Sequence, residues 1–331
     1  MTKKILDAKR ILLYGTGETG KLFMNICEKN NKKYETYDDI LASKTLGSLQ
    51  EVREYDPDFI IICSQTQMHT DSIKLKIESL GLTSDLYVPS HELVDYIRMM
   101  MDVADKIDYE IFEENDFLVA LKNGYLNFGC EYCDSGAFDS WYSYNEIKVD
   151  QNDIVIDCGA SCAEIHDSTP AYFVRATTNT IYAFEPEPTA YSFLKKEMKD
   201  HTNVKVLNYA VGECNGKMYF HVGSCSDSHI TDNQNENSIE VDVVKIDDIV
   251  NDGRVDFIKM DIEGGELAAL NGAKETIKKY KPKLAICVYH KPDDPITIPK
   301  LIKEFDPNYK IWIVNNEGHF WMGTKIFACV D

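Results

Sequence analysis

An apolar run closes on an acid at Asp157, and a glycine follows at once in Asp157-Cys-Gly159-Ala160-Ser161. A helix-length segment later, a second apolar run, Ile181-Tyr-Ala-Phe, closes on Glu185 and Pro186. In a parallel sheet these acids stand at the carboxyl ends of neighbouring strands, beside a turn whose backbone a ligand can approach closely. A carboxylate there suits a ribose diol, because it accepts from two hydroxyls at once. A dinucleotide site wants G-x-G-x-x-G to seat a pyrophosphate on a helix N-terminus. Here Gly159 stands alone, with Ser161 and Ala163 at the other two positions. An acid ahead of the turn repels a pyrophosphate but attracts an ammonium. S-adenosylmethionine carries a ribose and an ammonium and no phosphate. The competing reading is a purely structural βαβ unit with acidic strand ends, since a fold does not fix a function.

Positioning such residues requires an α/β sheet, and the alternation of apolar runs supplies one. Strands are read at 154–158, 181–185, 204–209, 256–261 and 284–290, with helices after the first two and from 266 to 279. A closing pair, 310–314 and 325–330, reads as a reversed hairpin, and strands at 216–221 and 239–244 flank a polar loop. Upstream, Ile11-Leu-Leu-Tyr14 leads into Gly15-Thr-Gly17-Glu-Thr-Gly20, a full G-x-G-x-x-G. Strands near 33–37, 58–63 and 85–89 and a helix over 68–80 complete a small Rossmann-like unit. Asp38-Asp39 falls close to the offset of a ribose-binding acid, yet the unit is short for a dinucleotide fold and Glu18 sits where phosphate would lie. The fold class is therefore α/β: a mostly parallel Rossmann-like sheet with a second, smaller Rossmann-like N-terminal domain. The boundaries are 1–95 for the small domain, 96–150 for a helical connector with an aromatic-rich segment, and 151–331 for the main domain.

The chain has 331 residues and a formal net charge of −20. Nucleic-acid binding runs on phosphate neutralisation by Lys and Arg, and no concentrated basic run offsets this acidity. No stretch reaches the roughly 18 apolar residues of a membrane span, and residues 1–10 lack the apolar core of a signal peptide. A cytoplasmic protein with no nucleic-acid partner is expected. Cys63, Cys287 and Cys329 lie in apolar runs, where free cysteine behaves as a small hydrophobe. Cys130-Glu-Tyr-Cys133 lacks the second pair that zinc would need.

From Asp153 onward the chain resembles FkbM-family methyltransferases. The resemblance rests on Asp157-Cys-Gly159-Ala160, Ala183-Phe-Glu185-Pro186, Asn208-Tyr-Ala210-Val-Gly212, Lys245-Ile-Asp247-Asp248-Ile and Lys259-Met-Asp261-Ile-Glu263-Gly264-Gly-Glu266. The family usually places Asn and Gly where this chain has Ser161 and Ala163. The resemblance implies S-adenosylmethionine-dependent O-methylation of a hydroxyl on a sugar, glycan or natural product, on a sheet with an antiparallel last strand. It assigns Asp157 to the cofactor's ammonium, Gly159, Ala160 and Ser161 to close backbone approach, and Glu185 with Pro186 to the ribose. The backbone from Asn208 to Ala210 faces the adenine. Asp261 and Glu263 lie next to the methyl, one of them as general base or as holder of the acceptor hydroxyl, with N-capping of the next helix as the structural alternative. His290 is the other base candidate, since an unperturbed imidazole titrates near neutrality. Two carboxylates alone fall short of the oxygen-rich shell of Mg²⁺ or Ca²⁺, so no metal is expected.

Three further readings stay open. The aromatics from Phe128 to Tyr144 either cover a ligand or pack an interface. The polar stretch 222–240 is either a specificity loop or plain surface. The whole is either an enzyme or a catalytically silent binding protein that keeps the fold. An NAD-dependent oxidoreductase built on Gly15–Gly20 lacks a Tyr-x-x-x-Lys pair in the first 100 residues.

Overall fold

The computed structural model describes residues 7–64, 66–122, 141–160, 168–221, 229–231, 238–250, 253–315 and 323–331. Ser161, the Cys130/Cys133 pair, most of the aromatic segment and most of the 222–240 loop fall outside them. The described residues form two compact units, one from residues 7–106 and 116–122, the other from 107–115 and 141 onward.

The first unit alternates β1 (Ile11–Tyr14), α1 (Glu18–Lys29), β2 (Tyr34–Tyr37), α2 (Leu49–Tyr55), β3 (Phe59–Ile62), α3 (Gln67–Ser79) and β4 (Asp85–Tyr87). Helices α4 (His91–Lys106) and α5 (Asp116–Lys122) follow. The sheet order is β2-β1-β3-β4, all parallel. Its central strands are buried on both faces, as a parallel sheet covered by helices requires. The glycine motif serves packing here. Gly15 has φ +108°, and a Cβ at Gly20 would lie 2.1 Å from the Gly15 carbonyl oxygen. Asp38 does not face outward to a ribose. Its carboxylate accepts from the Thr16 amide (2.7 Å) and hydroxyl (3.1 Å) and from the amides of Ile40 and Leu41. Asp39 accepts from the Tyr14 hydroxyl and pairs with Lys76. Both acids are thus spent on holding the loop.

The second unit contains β5 (Val155–Cys158), α6 (Thr169–Ala176), β6 (Ile181–Phe184), α7 (Pro188–Glu197) and β7 (Val204–Leu207). Strands β8 (Ala210–Val211), β9 (Gly216–His221), β10 (His229–Thr231) and β11 (Ser238–Val244) make a separate small sheet in the order β10-β9-β11-β8. Then come α8 (Ile246–Ile249), β12 (Phe257–Met260), α9 (Glu266–Asn271), α10 (Lys274–Tyr280), β13 (Lys283–Cys287), α11 (Asp294–Phe305), β14 (Lys310–Asn315) and β15 (Thr324–Cys329). The main sheet runs β14-β15-β13-β12-β5-β6-β7. Only β15 is antiparallel to its neighbours, and it lies between β13 and β14. The pair expected as a reversed hairpin is therefore one reversed strand beside one that runs with the sheet. Val155, Phe173, Ile181, Phe257, Ala285 and Phe327 pack into one core cluster across these strands.

Part of the expected connector belongs to this unit. The Glu113 amide donates to the Ile311 carbonyl and the Asn115 side-chain amide to that of Ile313, which ties residues 107–115 to β14. The single helix expected over 266–279 is broken in two. A Cβ at Gly272 would lie 1.9 Å from the Gly212 carbonyl oxygen, so the chain bends there against another loop. Asp247 from the Lys245–Ile249 motif then caps α10, accepting from the amides of Glu275 (3.1 Å) and Thr276 (2.8 Å).

Candidate functional site

Chain order reverses direction across the main sheet between β5 and β12, and in open α/β sheets ligands bind outside the carboxyl strand ends at such a point. The turn after β5 occupies this position. Gly159 has φ +77°, and a Cβ there would lie 1.9 Å from the Asp261 carbonyl oxygen. Only glycine meets both demands. The amides of Gly159 and Ala160 both donate to the Phe184 carbonyl at 3.1 Å, joining this turn to the end of β6.

Asp157 is fully buried and does not stand open to an ammonium. Its Oδ2 accepts from the Thr169 hydroxyl at 2.5 Å, and its Oδ1 lies 3.2 Å from Lys259 Nζ. Lys259, on β12, is 1% exposed and also donates to the carbonyls of Cys158 (3.1 Å) and Gly159 (2.6 Å). Its ammonium lies 5.0 Å from the Tyr142 ring centroid. Burial pushes the Asp157 carboxyl up, against the opposing pull of Lys259. Burial alone would lower the Lys259 ammonium, but Asp157 and Asp261 outweigh it and raise it. The pair thus braces the glycine turn from below.

Glu185 follows β6, nearly buried, and its Oε1 accepts from the Glu187 amide at 3.0 Å. The Asn208 side-chain amide donates to the carbonyls of Glu185 (2.9 Å) and Pro186 (3.0 Å), linking the ends of β6 and β7. Ala210 is buried in the small sheet, paired with Val243, and packs there rather than lining an open site.

On the other side of the turn stand Asp261, Glu263 and His290. Asp261 accepts from two phenols, Tyr142 at 2.8 Å and Tyr289 at 2.9 Å. His290 Nε2 lies 3.4 Å from Asp261 Oδ1 and 3.3 Å from Glu263 Oε2, and its Nδ1 lies 2.9 Å from Glu266 Oε1. Glu263 adopts φ +55°, a left-handed conformation that costs a non-glycine residue about 1–2 kcal/mol. The fully buried Glu266 accepts from the Ile262 amide at 2.9 Å, which fixes this turn. The N-cap of α9 is Gly265, which has no side chain with which to cap the helix.

These contacts argue against two of the three base candidates named from sequence, Asp261 and His290. Burial would raise the Asp261 carboxyl, but Lys259, His290 and the Tyr142 hydroxyl outweigh it and hold it at about 2. Burial would lower the His290 imidazole, but Glu266, Asp261 and Glu263 outweigh it and raise it to about 9. The imidazole is therefore a cation near neutrality, and Asp261 is too weak a base to take a proton readily. Lys259, Tyr289 and Glu266 received no role from sequence, and Tyr142 was read only as part of the aromatic segment from Phe128 to Tyr144. The available signals were a lysine inside an apolar strand and a tyrosine immediately before His290.

Residues 157–309 match the methyltransferase FkbM domain. The chain is also similar to the crystal structure of a methyltransferase FkbM from Methylobacillus flagellatus KT, at 19% identity and a TM-score of 0.48 over 97% of this chain and 90% of that one. A putative rRNA-methylase from Clostridium thermocellum shows 11% identity and a TM-score of 0.34 over 55% of this chain and 89% of its own. No curated protein matches. Among the described residues no helix is long and apolar enough to cross a membrane.

Proposed function

We propose, from the match of residues 157–309 to the methyltransferase FkbM domain, that the chain transfers a methyl group from S-adenosylmethionine to a hydroxyl of a sugar, glycan or natural product. The observation that carries this reading is the place of the Gly159 turn, directly after β5 where the strand order of the main sheet reverses. Ligands of open α/β sheets bind outside the carboxyl strand ends at such a point, and the Glu185 carboxylate at the neighbouring strand end can accept from a ribose diol. When bound, S-adenosylmethionine supplies an electrophilic methyl on a sulfonium.

The chain's own residues then have separable tasks. Glu185 takes the ribose hydroxyls, with Asn208 keeping its strand end in place. The Asp157–Lys259 pair keeps the Gly159 turn in shape and makes no cofactor contact itself. Asp261, held by Tyr142 and Tyr289, presents fixed negative charge beside the acceptor. Alignment of acceptor oxygen and methyl carbon in such a frame contributes several kcal/mol of a barrier.

Titration calorimetry tests the reading. S-adenosylmethionine and S-adenosylhomocysteine are expected to bind, and Glu185→Ala is expected to weaken both by about tenfold, near the loss of one charge-assisted hydrogen bond. NAD⁺ binding with no response to either adenosyl ligand would overturn it.

A further inference from the structure

Sequence places Asp261 and Glu263 after β12 and His290 after β13, and folding brings Glu266 to the same place. Asp261, Glu266 and His290 each offer a ligand atom within 4.8 Å of the others. The His290 side chain is 7% exposed, and neither ring nitrogen has a well-aligned hydrogen bond among the described residues. The same holds for Oε2 of the fully buried Glu266. Buried polar atoms ordinarily find partners, so a buried Nε2 of His290 facing the carboxylates of Asp261 and Glu263 at 3.3–3.4 Å indicates a ligand between them.

We propose that this cluster binds a divalent first-row metal cation through His290 Nε2, which releases its proton to solvent on binding, with Asp261 and Glu263 as the other ligands and Glu266 orienting the ring from its Nδ1 side. Ligand atoms about 2.1 Å from an ion and 3.3–3.4 Å from each other subtend about 105° at it. That lies between a right angle and the tetrahedral angle, within the range of ordinary metal polyhedra. The surroundings are those of a ligand set. A metal-bound histidine has its second nitrogen facing a carboxylate or carbonyl, here Glu266 at 2.9 Å. A ligating carboxylate is itself hydrogen-bonded, here by Tyr142 and Tyr289. One imidazole with carboxylate oxygens suits Mn²⁺ or Zn²⁺ better than Ca²⁺.

The inference deepens the methyl-transfer reading, on which its purpose rests. A cation beside the Gly159 turn takes the acceptor hydroxyl as a further ligand and eases loss of its proton to solvent. The oxygen's electron pair then forms the bond to the methyl carbon, and the carbon–sulfur pair returns to sulfur. Asp261 and His290 serve as ligands, which needs neither of them to act as a base.

The test uses the full chain stripped with chelator, titrated with Mn²⁺ and followed by electron paramagnetic resonance without any methyl donor. Loss of the free-ion signal to one equivalent of sites at micromolar affinity is expected. His290→Ala and Asp261→Asn should abolish binding, and Glu266→Gln should weaken it by about tenfold or more. Glu263→Gln, at a partly exposed position, keeps the test valid where a buried substitution does not fold. Mn²⁺ that stays free, or binds all folded variants alike, overturns the inference. Calorimetry with S-adenosylmethionine on the same samples separates the two ideas. Cofactor binding without Mn²⁺ binding defeats only the metal, and Mn²⁺ binding without cofactor binding defeats only the methyl donor.

Discussion

Replacing Lys259 with methionine keeps the side chain's bulk and removes its charge from a place without water. Lys259 is 1% exposed and Asp157 is fully buried, so the carboxylate left behind would have only the Thr169 hydroxyl for a partner. The carbonyls of Cys158 and Gly159 lose a donor in the same step. Breaking a buried pair from one side typically costs about 3–5 kcal/mol, because the remaining charge is uncompensated. For a unit of this size each kcal/mol is worth about 2–4 °C, so the melting temperature should fall by roughly 6–20 °C. Scanning calorimetry on Lys259→Met, Asp157→Asn and the double variant completes a cycle. The double variant should lose less than the sum of the singles by about 1–3 kcal/mol, since removing both charges removes the orphan. Additivity within about 0.5 kcal/mol would refute the bracing role.

Gly159→Ala should abolish S-adenosylmethionine binding in calorimetry, since its Cβ would sit 1.9 Å from the Asp261 carbonyl oxygen at φ +77°. Unchanged affinity would remove the turn from the site. In the first unit, burial would raise the Asp38 carboxyl, but the amides of Leu41, Thr16 and Ile40 outweigh it and lower it below the usual carboxylate value. Its contribution is present above the unfolded value and lost as pH falls through the folded one. Thermal melts from about pH 5 downward should therefore show that unit weakening, with a shallower slope in Asp38→Asn. Asp247→Ala removes the acceptor for the Glu275 and Thr276 amides, and denaturant titration should show a loss of about 1 kcal/mol.

The strands that end at or beside Asp157, Glu185 and Asp261 were legible because each is a short apolar run that closes on an acid. Their partners were not. Asp157 reads as an open acid until Lys259, about a hundred positions on, is placed beneath it by the pairing of β5 with β12. The ionisation of His290 was equally hidden, since Glu266 reaches it only after a left-handed turn at Glu263 and Gly264 brings α9 back. In the first unit, glycine spacing marked the loop correctly, while Asp38 and Asp39 turned inward for reasons that hydrogen-bond geometry alone decides. The break at Gly272 depends on the Gly212 carbonyl, a contact no local pattern encodes.

The placement of β15 sets a clock on assembly. Strand β14 leaves the ribosome first, yet it reaches the sheet only through β15, which is made later and lies between β14 and β13. Until Thr324–Cys329 has emerged, β13 keeps an unpaired edge rich in Leu284, Ala285 and Ile286, and β14 waits without its partner. Two open apolar strand edges are an invitation to wrong pairing. Closing this side of the sheet therefore waits on β15, and the interval before it leaves those edges open to wrong pairing.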